Sequence, residues 1–226
     1  FITNGQHCDF IITATKTNTE VSGSKGTSLF IVDTNNTGFS RGRNLDKIGQ
    51  HSADTSELFF EQVAVSSGAL LGQLDCGFAV LMNELPRERL ILSIGAIAAC
   101  EGILDWTIEY TSERKAFSQT ISSFQNTRFR VAEMTTETRV NRSFVNECID
   151  LYSKGELDTA TASMAKLSTT ELQGRVVDGC LQLFGGYGYM VEYPIGRAFV
   201  DARIQRIYGG TSEIMKEIIS RSIFGR

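Results

Sequence analysis

Two short stretches hold residues whose types and spacing can do chemistry. The first is ELPRERL, residues 84–90, which places Glu84, Arg87, Glu88 and Arg89 just before the apolar run LILSIGAIAAC. The default for such charges is a solvated helix face. On a continuous helix, Glu84 and Glu88 share a face four residues apart, and Glu88 stands where the sequence turns apolar. A carboxylate held against apolar surroundings can serve as a general base near neutral pH. Glu101, also inside an apolar run, is a rival on the same argument. The second stretch is IYGGTSEI, residues 207–214, where Gly209 and Gly210 precede Thr211, Ser212 and Glu213. Thr211 or Ser212 suits the N-cap of a closing helix. The free N–H groups of a helix start equally suit a phosphate or a polarised carbonyl, and spacing does not choose between these. A further glycine-rich stretch, FGGYGYM at residues 184–190, follows a helical pattern and not a strand, so it is no dinucleotide fingerprint. Glycine in the left-handed position of a helix C-terminus accounts for it.

The elements that must position these residues fall into two groups. Residues 1 to about 70 contain the β-branched and apolar runs DFIITATKT, SLFIVDT and SELFFEQVAV, bounded by Asn, Gly and Ser clusters, which predict strands. NTEVSGSKGTS reads as a turn-rich connection and SSGALLGQLDCG as a linker. From Gly77 apolar residues recur three and four apart, the helical period. The pattern predicts a long helix over 77–117, with Pro86 marking a kink or a late start. Further helices are expected over about 122–154, 158–183 and 211–223. The organisation is α+β: a β domain over 1–70 and a helical bundle over 71–226.

Composition narrows the function classes. A chain of 226 residues with 42% apolar content can bury a sizeable core. The net charge of −4 gives no support for a nucleic-acid partner. No uninterrupted apolar run reaches the length of a membrane span, and no secretory signal opens the chain. Five scattered cysteines without a C-x-x-C pair read as free buried thiols in a reducing compartment. His7 and His51 lack ligand spacing, so no metal site is expected. The chain opens at Phe1 inside a strand-like pattern and reads as a segment of a longer protein.

Taken together and in register, six segments resemble the acyl-CoA dehydrogenase family. They are FITNG, LDKIGQHSADTSELFFEQVAV, LLGQLDCGFAVLMNELPRERL, YTSERKAFSQTISSFQNTRFRVAEM, LQLFGGYGYMVEYPIGRAFVDARI and IYGGTSEIMKEII. The resemblance covers the whole chain and is strongest to the long-chain branch. It implies the C-terminal part of a small β-barrel-like domain followed by an all-α four-helix bundle, with an N-terminal helical domain and the first strands outside the segment. The family uses FAD to oxidise the Cα–Cβ bond of an acyl-CoA thioester. A carboxylate takes the α proton, and hydrogen bonds to the thioester carbonyl stabilise the enolate-like charge.

Many members carry that carboxylate immediately before the Gly-Thr of IYGGTSEI. Here the position is Gly209, and the resemblance moves the base to Glu88. It places Arg89, Tyr208, Gly209 and Gly210 at the substrate. Phe1 and Thr3 would lie against the flavin ring. Arg114 and Gln125 would meet the pyrophosphate and adenosine. Gln182, Leu183, Phe184, Gly185 and Gly186 would do so from a neighbouring subunit, with Thr211, Ser212 and Glu213 flanking the cofactor. A shared flavin implies a homodimer or homotetramer, and the electron acceptor would be an electron-transferring flavoprotein. The compartment would be the cytoplasm in a bacterium or the mitochondrial matrix in a eukaryote, and the protein would not be secreted. An oxygen-reducing acyl-CoA oxidase and a non-catalytic scaffold relative are the alternatives. Two departures are Ser118, where the family usually has glycine, and Ser66, where proline is common.

Overall fold

The computed structural model describes residues 1–225 and divides into two compact units, Phe1–Glu84 and Leu85–Arg226. The first unit is built from β1 (Ile2–Thr3), β2 (Phe10–Lys16), β3 (Thr27–Asp33), β4 (Phe39–Asn44), β5 (Thr55–Phe60) and β6 (Leu70–Leu71). They form two antiparallel three-stranded sheets, ordered β1-β5-β4 and β2-β3-β6. The β2–β3 pair runs in unbroken register from Phe10 opposite Asp33 to Lys16 opposite Thr27. β-branched Ile, Thr and Val fill these two strands, and Leu29 and Val32 are buried.

β4 is a strand that the sequence pattern does not predict. Its residues, FSRGRN, carry no apolar alternation. Cross-strand pairing supplies what the period does not: Phe39 faces Phe60, and Arg41 donates from Nε to the Gly5 carbonyl at 2.9 Å and from Nη2 to the Cys8 carbonyl at 2.7 Å. The stretch expected to be a linker also contains structure. Ser67–Ala69 makes a 3-10 turn, and Leu70 and Leu71 pair with Phe30 and Leu29 of β3. Two residues are too few to show a period of two.

Helix α1 (Gly77–Glu113) begins in the first unit and continues into the second without interruption at Pro86, so no late start occurs. The second unit adds the hairpin β7 (Lys115–Ala116) and β8 (Gln119–Thr120), then α2 (Gln125–Ser153), α3 (Thr159–Phe184), α4 (Pro194–Ala202) and α5 (Ser212–Phe224). The bundle is therefore not purely helical, since a two-stranded hairpin joins α1 to α2. Its core brings Ile97, Cys100 and Ile103 of α1 against Val145 of α2 and Leu172 and Val176 of α3. By length and composition alone α1 could cross a membrane, but its buried face belongs to this core. α3 is the central helix, with residues buried along most of its length. Asp158 caps its start, accepting from the N–H groups of Ala160 and Thr161 at 2.8 and 2.9 Å.

Of the five cysteines, Cys100, Cys148 and Cys180 are buried and Cys76 is exposed. The expectation that all are buried thus fails at Cys76, just before α1, and at half-buried Cys8. Burial pushes the Cys100 thiol up to about 12.

Candidate active site

Helix α1 presents Glu88 and Arg89 to different surroundings, because consecutive helical residues point about 100° apart. Glu88 is exposed, whereas Arg89 is only 3% exposed. The cover that the sequence assigns to Glu88 therefore falls on its neighbours Arg89 and Leu90. Arg89 Nη1 donates to Ser163 Oγ of α3 at 3.3 Å, and its buried Nε has no hydrogen-bond partner. Burial holds the Arg89 guanidinium below its ordinary value, with the Glu88 charge opposing that shift.

The Gly209–Gly210 turn lies against the same helix. A Cβ at Gly209 would meet Leu92 Cδ1 at 2.5 Å, and Leu92 follows Glu88 by four residues, one helical turn. Gly209 has φ +64° and Gly210 φ +104°, backbone that L residues rarely adopt. So the Gly209 turn packs on α1 one helical turn from Glu88, although the two residues are 121 positions apart in the sequence. Half-buried Tyr208 enters the turn with its N–H on the Ile204 carbonyl at 3.2 Å. After the turn, Thr211 is the N-cap of α5, accepting from the Ile214 N–H at 3.4 Å. Ser212 is buried and donates to Glu171 Oε1 at 2.7 Å, so its hydroxyl is used inside the bundle. Exposed Glu213 has its carboxyl held below the usual range, chiefly by its own backbone N–H and then by the Thr211 hydroxyl.

The rival Glu101 is committed elsewhere. Arg142 donates from Nε to its Oε1 at 2.8 Å and from Nη2 to its Oε2. These bonds hold the Glu101 carboxyl below the usual carboxylate range, which makes it a poor proton acceptor. Glu84 is exposed and belongs to the first unit.

A separate cavity of about 640 Å³ opens between the end of α1 and the end of α3. Arg114 and Gln182 through Gly186 line it together, with Tyr110, Tyr187 and Met190. The sequence reading divided these residues between two subunits. In the structure Arg114 and Gln182 through Gly186 lie side by side along one cavity of one chain. Its aromatic wall is ordered: Tyr110 stacks on Phe184 with centroids 4.1 Å apart and donates to the Phe184 carbonyl at 3.2 Å. The Arg114 guanidinium lies 5.1 Å from the Tyr187 ring centroid. α3 ends on Gly185, with φ +58°. Side chains at Gly185 or Gly186 would find nothing within 4 Å, so their backbone is open to a ligand. Gln125, exposed at the first residue of α2, is not among the lining residues. Phe1 and Thr3, both exposed, flank and form β1 of the first unit. Among the described residues no group of three or more His, Cys, Asp or Glu could hold a metal ion.

The family model for the acyl-CoA dehydrogenase C-terminal domain matches residues 75–224, and that for the middle domain matches residues 1–63. The chain belongs to the acyl-CoA dehydrogenase family. It is 49% identical over 224 residues to the mitochondrial long-chain specific acyl-CoA dehydrogenase of Rattus norvegicus, covering 99% of this chain and 52% of that protein. It is 35% identical over 225 residues to an acyl-CoA dehydrogenase of Bacillus subtilis, covering 100% of this chain and 59% of that one. Its fold superposes on the crystal structure of an acyl-CoA dehydrogenase from Geobacillus kaustophilus with a TM-score of 0.97 at 43% identity, covering 99% of this chain and 59% of the other. The chain thus spans about half the length of the long-chain relatives it matches. Relatives in mitochondria and in bacteria are the pair of settings that the sequence reading expected.

In this acyl-CoA dehydrogenase family member Lys166 also meets the Gly209–Gly210 turn, which no motif in the sequence announces. It is fully buried on α3, and its Nζ donates to the Gly210 carbonyl at 2.7 Å. Its stripe of α3, with Ala162, Thr169 and Gln173, is buried yet mostly polar, so no apolar period marks it in the sequence.

Proposed function

We propose that the protein catalyses flavin-dependent α,β-dehydrogenation of a long- or medium-chain acyl-CoA, with Glu88 as the base. The observation that carries this reading is the contact of Gly209 with Leu92, one turn beyond Glu88. Without a side chain at Gly209 the turn packs directly on Leu92, and Glu88 supplies a carboxylate one turn earlier on the same helix.

A thioester α C–H is too weakly acidic for a carboxylate unless the carbonyl oxygen is stabilised as charge develops. The Gly209 N–H is the donor assigned to that oxygen. It depends on backbone direction alone, so glycine loses nothing at this step. Glu88 accepts the α proton on a carboxylate oxygen, and buried Arg89, its neighbour, fixes the local charge and the helix face. FAD, when bound, would supply the acceptor for the β hydrogen. The chain's residues fit such a cofactor: the cavity offers a cation at Arg114, the open backbone of Gly185 and Gly186, and an aromatic wall. Arg114 and Gln182 through Gly186 would hold its pyrophosphate and adenosine part as one set, Phe1 and Thr3 would meet the ring, and a second copy of the chain would share it in a homodimer or homotetramer. Electrons would pass to an electron-transferring flavoprotein, in a mitochondrial matrix or a bacterial cytoplasm.

Turnover of the whole protein with a saturated acyl-CoA tests the base. Glu88→Gln should lower it by about 10²–10⁴-fold with bound flavin unchanged. Undiminished turnover would refute the assignment.

A further inference from the structure

Helix α3 holds the Gly209–Gly210 turn at its middle and at both ends. In the middle, Lys166 Nζ donates to the Gly210 carbonyl at 2.7 Å. At the two ends, one carboxylate of α3 serves both flanks. Arg206, just before the turn, places Nε 3.2 Å from Glu171 Oε2, and Ser212, just after it, donates to Glu171 Oε1 at 2.7 Å. Arg206 Nη2 also donates to the Glu171 main-chain carbonyl at 3.4 Å. Gly174 makes room for this guanidinium, since a Cβ there would stand 1.8 Å from Arg206 Nη2.

Packing alone does not explain Lys166. It is 0% exposed and shares the interior with a second buried cation, Arg89, whose partner Ser163 lies one turn earlier on α3. Two neighbouring buried cations repel and are each desolvated, so an apolar residue would fill the space at lower cost. What an apolar residue cannot do is grip the Gly210 carbonyl. That carbonyl and the Thr211 N–H belong to one planar peptide, and the Gly209 N–H lies two peptide units earlier in the same turn. A turn of two glycines has wide conformational freedom of its own, so its direction must be imposed from outside.

We infer that Lys166 and Glu171 are positioning residues for the reaction: they fix the Gly209–Gly210 turn on α3 so that the Gly209 N–H meets the thioester carbonyl while Glu88 takes the α proton. The inference rests on the dehydrogenation reading above. The balance of the step involved is simple: the α C–H bond breaks, its electron pair moves toward the carbonyl, and the proton resides on Glu88 until it returns or exchanges with solvent.

The test isolates that step. The whole flavin-loaded protein is mixed in D₂O with an acyl-CoA analogue whose β carbon is replaced by sulfur, so that no hydride can leave. Mass spectrometry then follows α-deuterium uptake. Lys166→Met, similar in length and uncharged, should lower uptake about tenfold at saturating analogue. Analogue affinity, bound flavin and melting temperature should stay near wild type, a split that a merely structural role would not produce. If Lys166→Met fails to assemble with flavin, Glu171→Gln takes its place. It loses the charge facing Arg206 while keeping an acceptor for Ser212, and a several-fold loss of uptake at saturation is expected. Glu88→Gln, run in parallel, should abolish uptake. Wild-type uptake in the position 166 or 171 variant, beside lost uptake in Glu88→Gln, would overturn the inference and leave the reading standing. Undiminished uptake in Glu88→Gln would overturn the reading and the inference with it.

Discussion

Phe117 and Ser118 form the two-residue turn between β7 and β8, and both have positive φ, +51° and +66°. This is the turn that favours Asn-Gly, because two left-handed residues in succession cost non-glycine side chains about 1–2 kcal/mol each. Ser118, where the family usually has glycine, therefore stands in backbone that strains a side chain. Ser118→Gly is expected to stabilise the protein by about 1 kcal/mol, read as a higher midpoint in urea unfolding. An unchanged or lower midpoint would contradict it. Such positions are legible because a turn type demands a residue type. Lys166 was not, because a lysine in a helix reads by default as a solvated charge, and only the position of Gly210 gives its ammonium an inward partner.

The long helices were legible because their apolar period persists over many turns, and their stops fall on residues with clear roles. α2 ends just before Lys154-Gly155 and α3 at Gly185, close to where the pattern ends. α4 was missed although its apolar residues keep a helical period, because it has only nine residues and opens with Pro194 straight after a glycine-rich turn. β4 was missed because ladder pairing, not side-chain alternation, holds it. At the start of α3, Asp158→Ala should cost about 1 kcal/mol of stability at neutral pH by removing the N-cap. The Asp158 carboxyl is held below its ordinary value, first by the Thr161 hydroxyl and then by the N–H groups that it caps. A folded pKa below the unfolded one gives stability that is present above the unfolded value and lost as pH falls through the folded one. Urea midpoints of wild type and Asp158→Ala should accordingly differ at neutral pH and converge in acid. A gap that persists in acid would place the effect outside the carboxylate.

On the scale of the molecule, the fold class was readable from the switch between a period of two and a period of 3.6. What the period could not show is which distant loops meet. Arg114 and Gln182 through Gly186 lie on separate elements, and only the packed ends of α1 and α3 make them one cavity. If that cavity holds the pyrophosphate and adenosine part of the flavin, Arg114→Ala removes a cation aimed at an anion. Purified whole protein should then carry clearly less FAD per chain than wild type, while its far-UV spectrum is unchanged. Full flavin content would remove Arg114 from the cofactor site.

Anaerobic titration of the whole flavin-loaded protein with a long-chain acyl-CoA, wild type beside Glu88→Gln, tests the central claim most directly. Flavin absorbance near its oxidised maximum should bleach in the wild type and persist in the variant, with flavin still bound in both. Equal bleaching in both proteins would contradict Glu88 as the base, and no bleaching in the wild type would contradict acyl-CoA dehydrogenation itself.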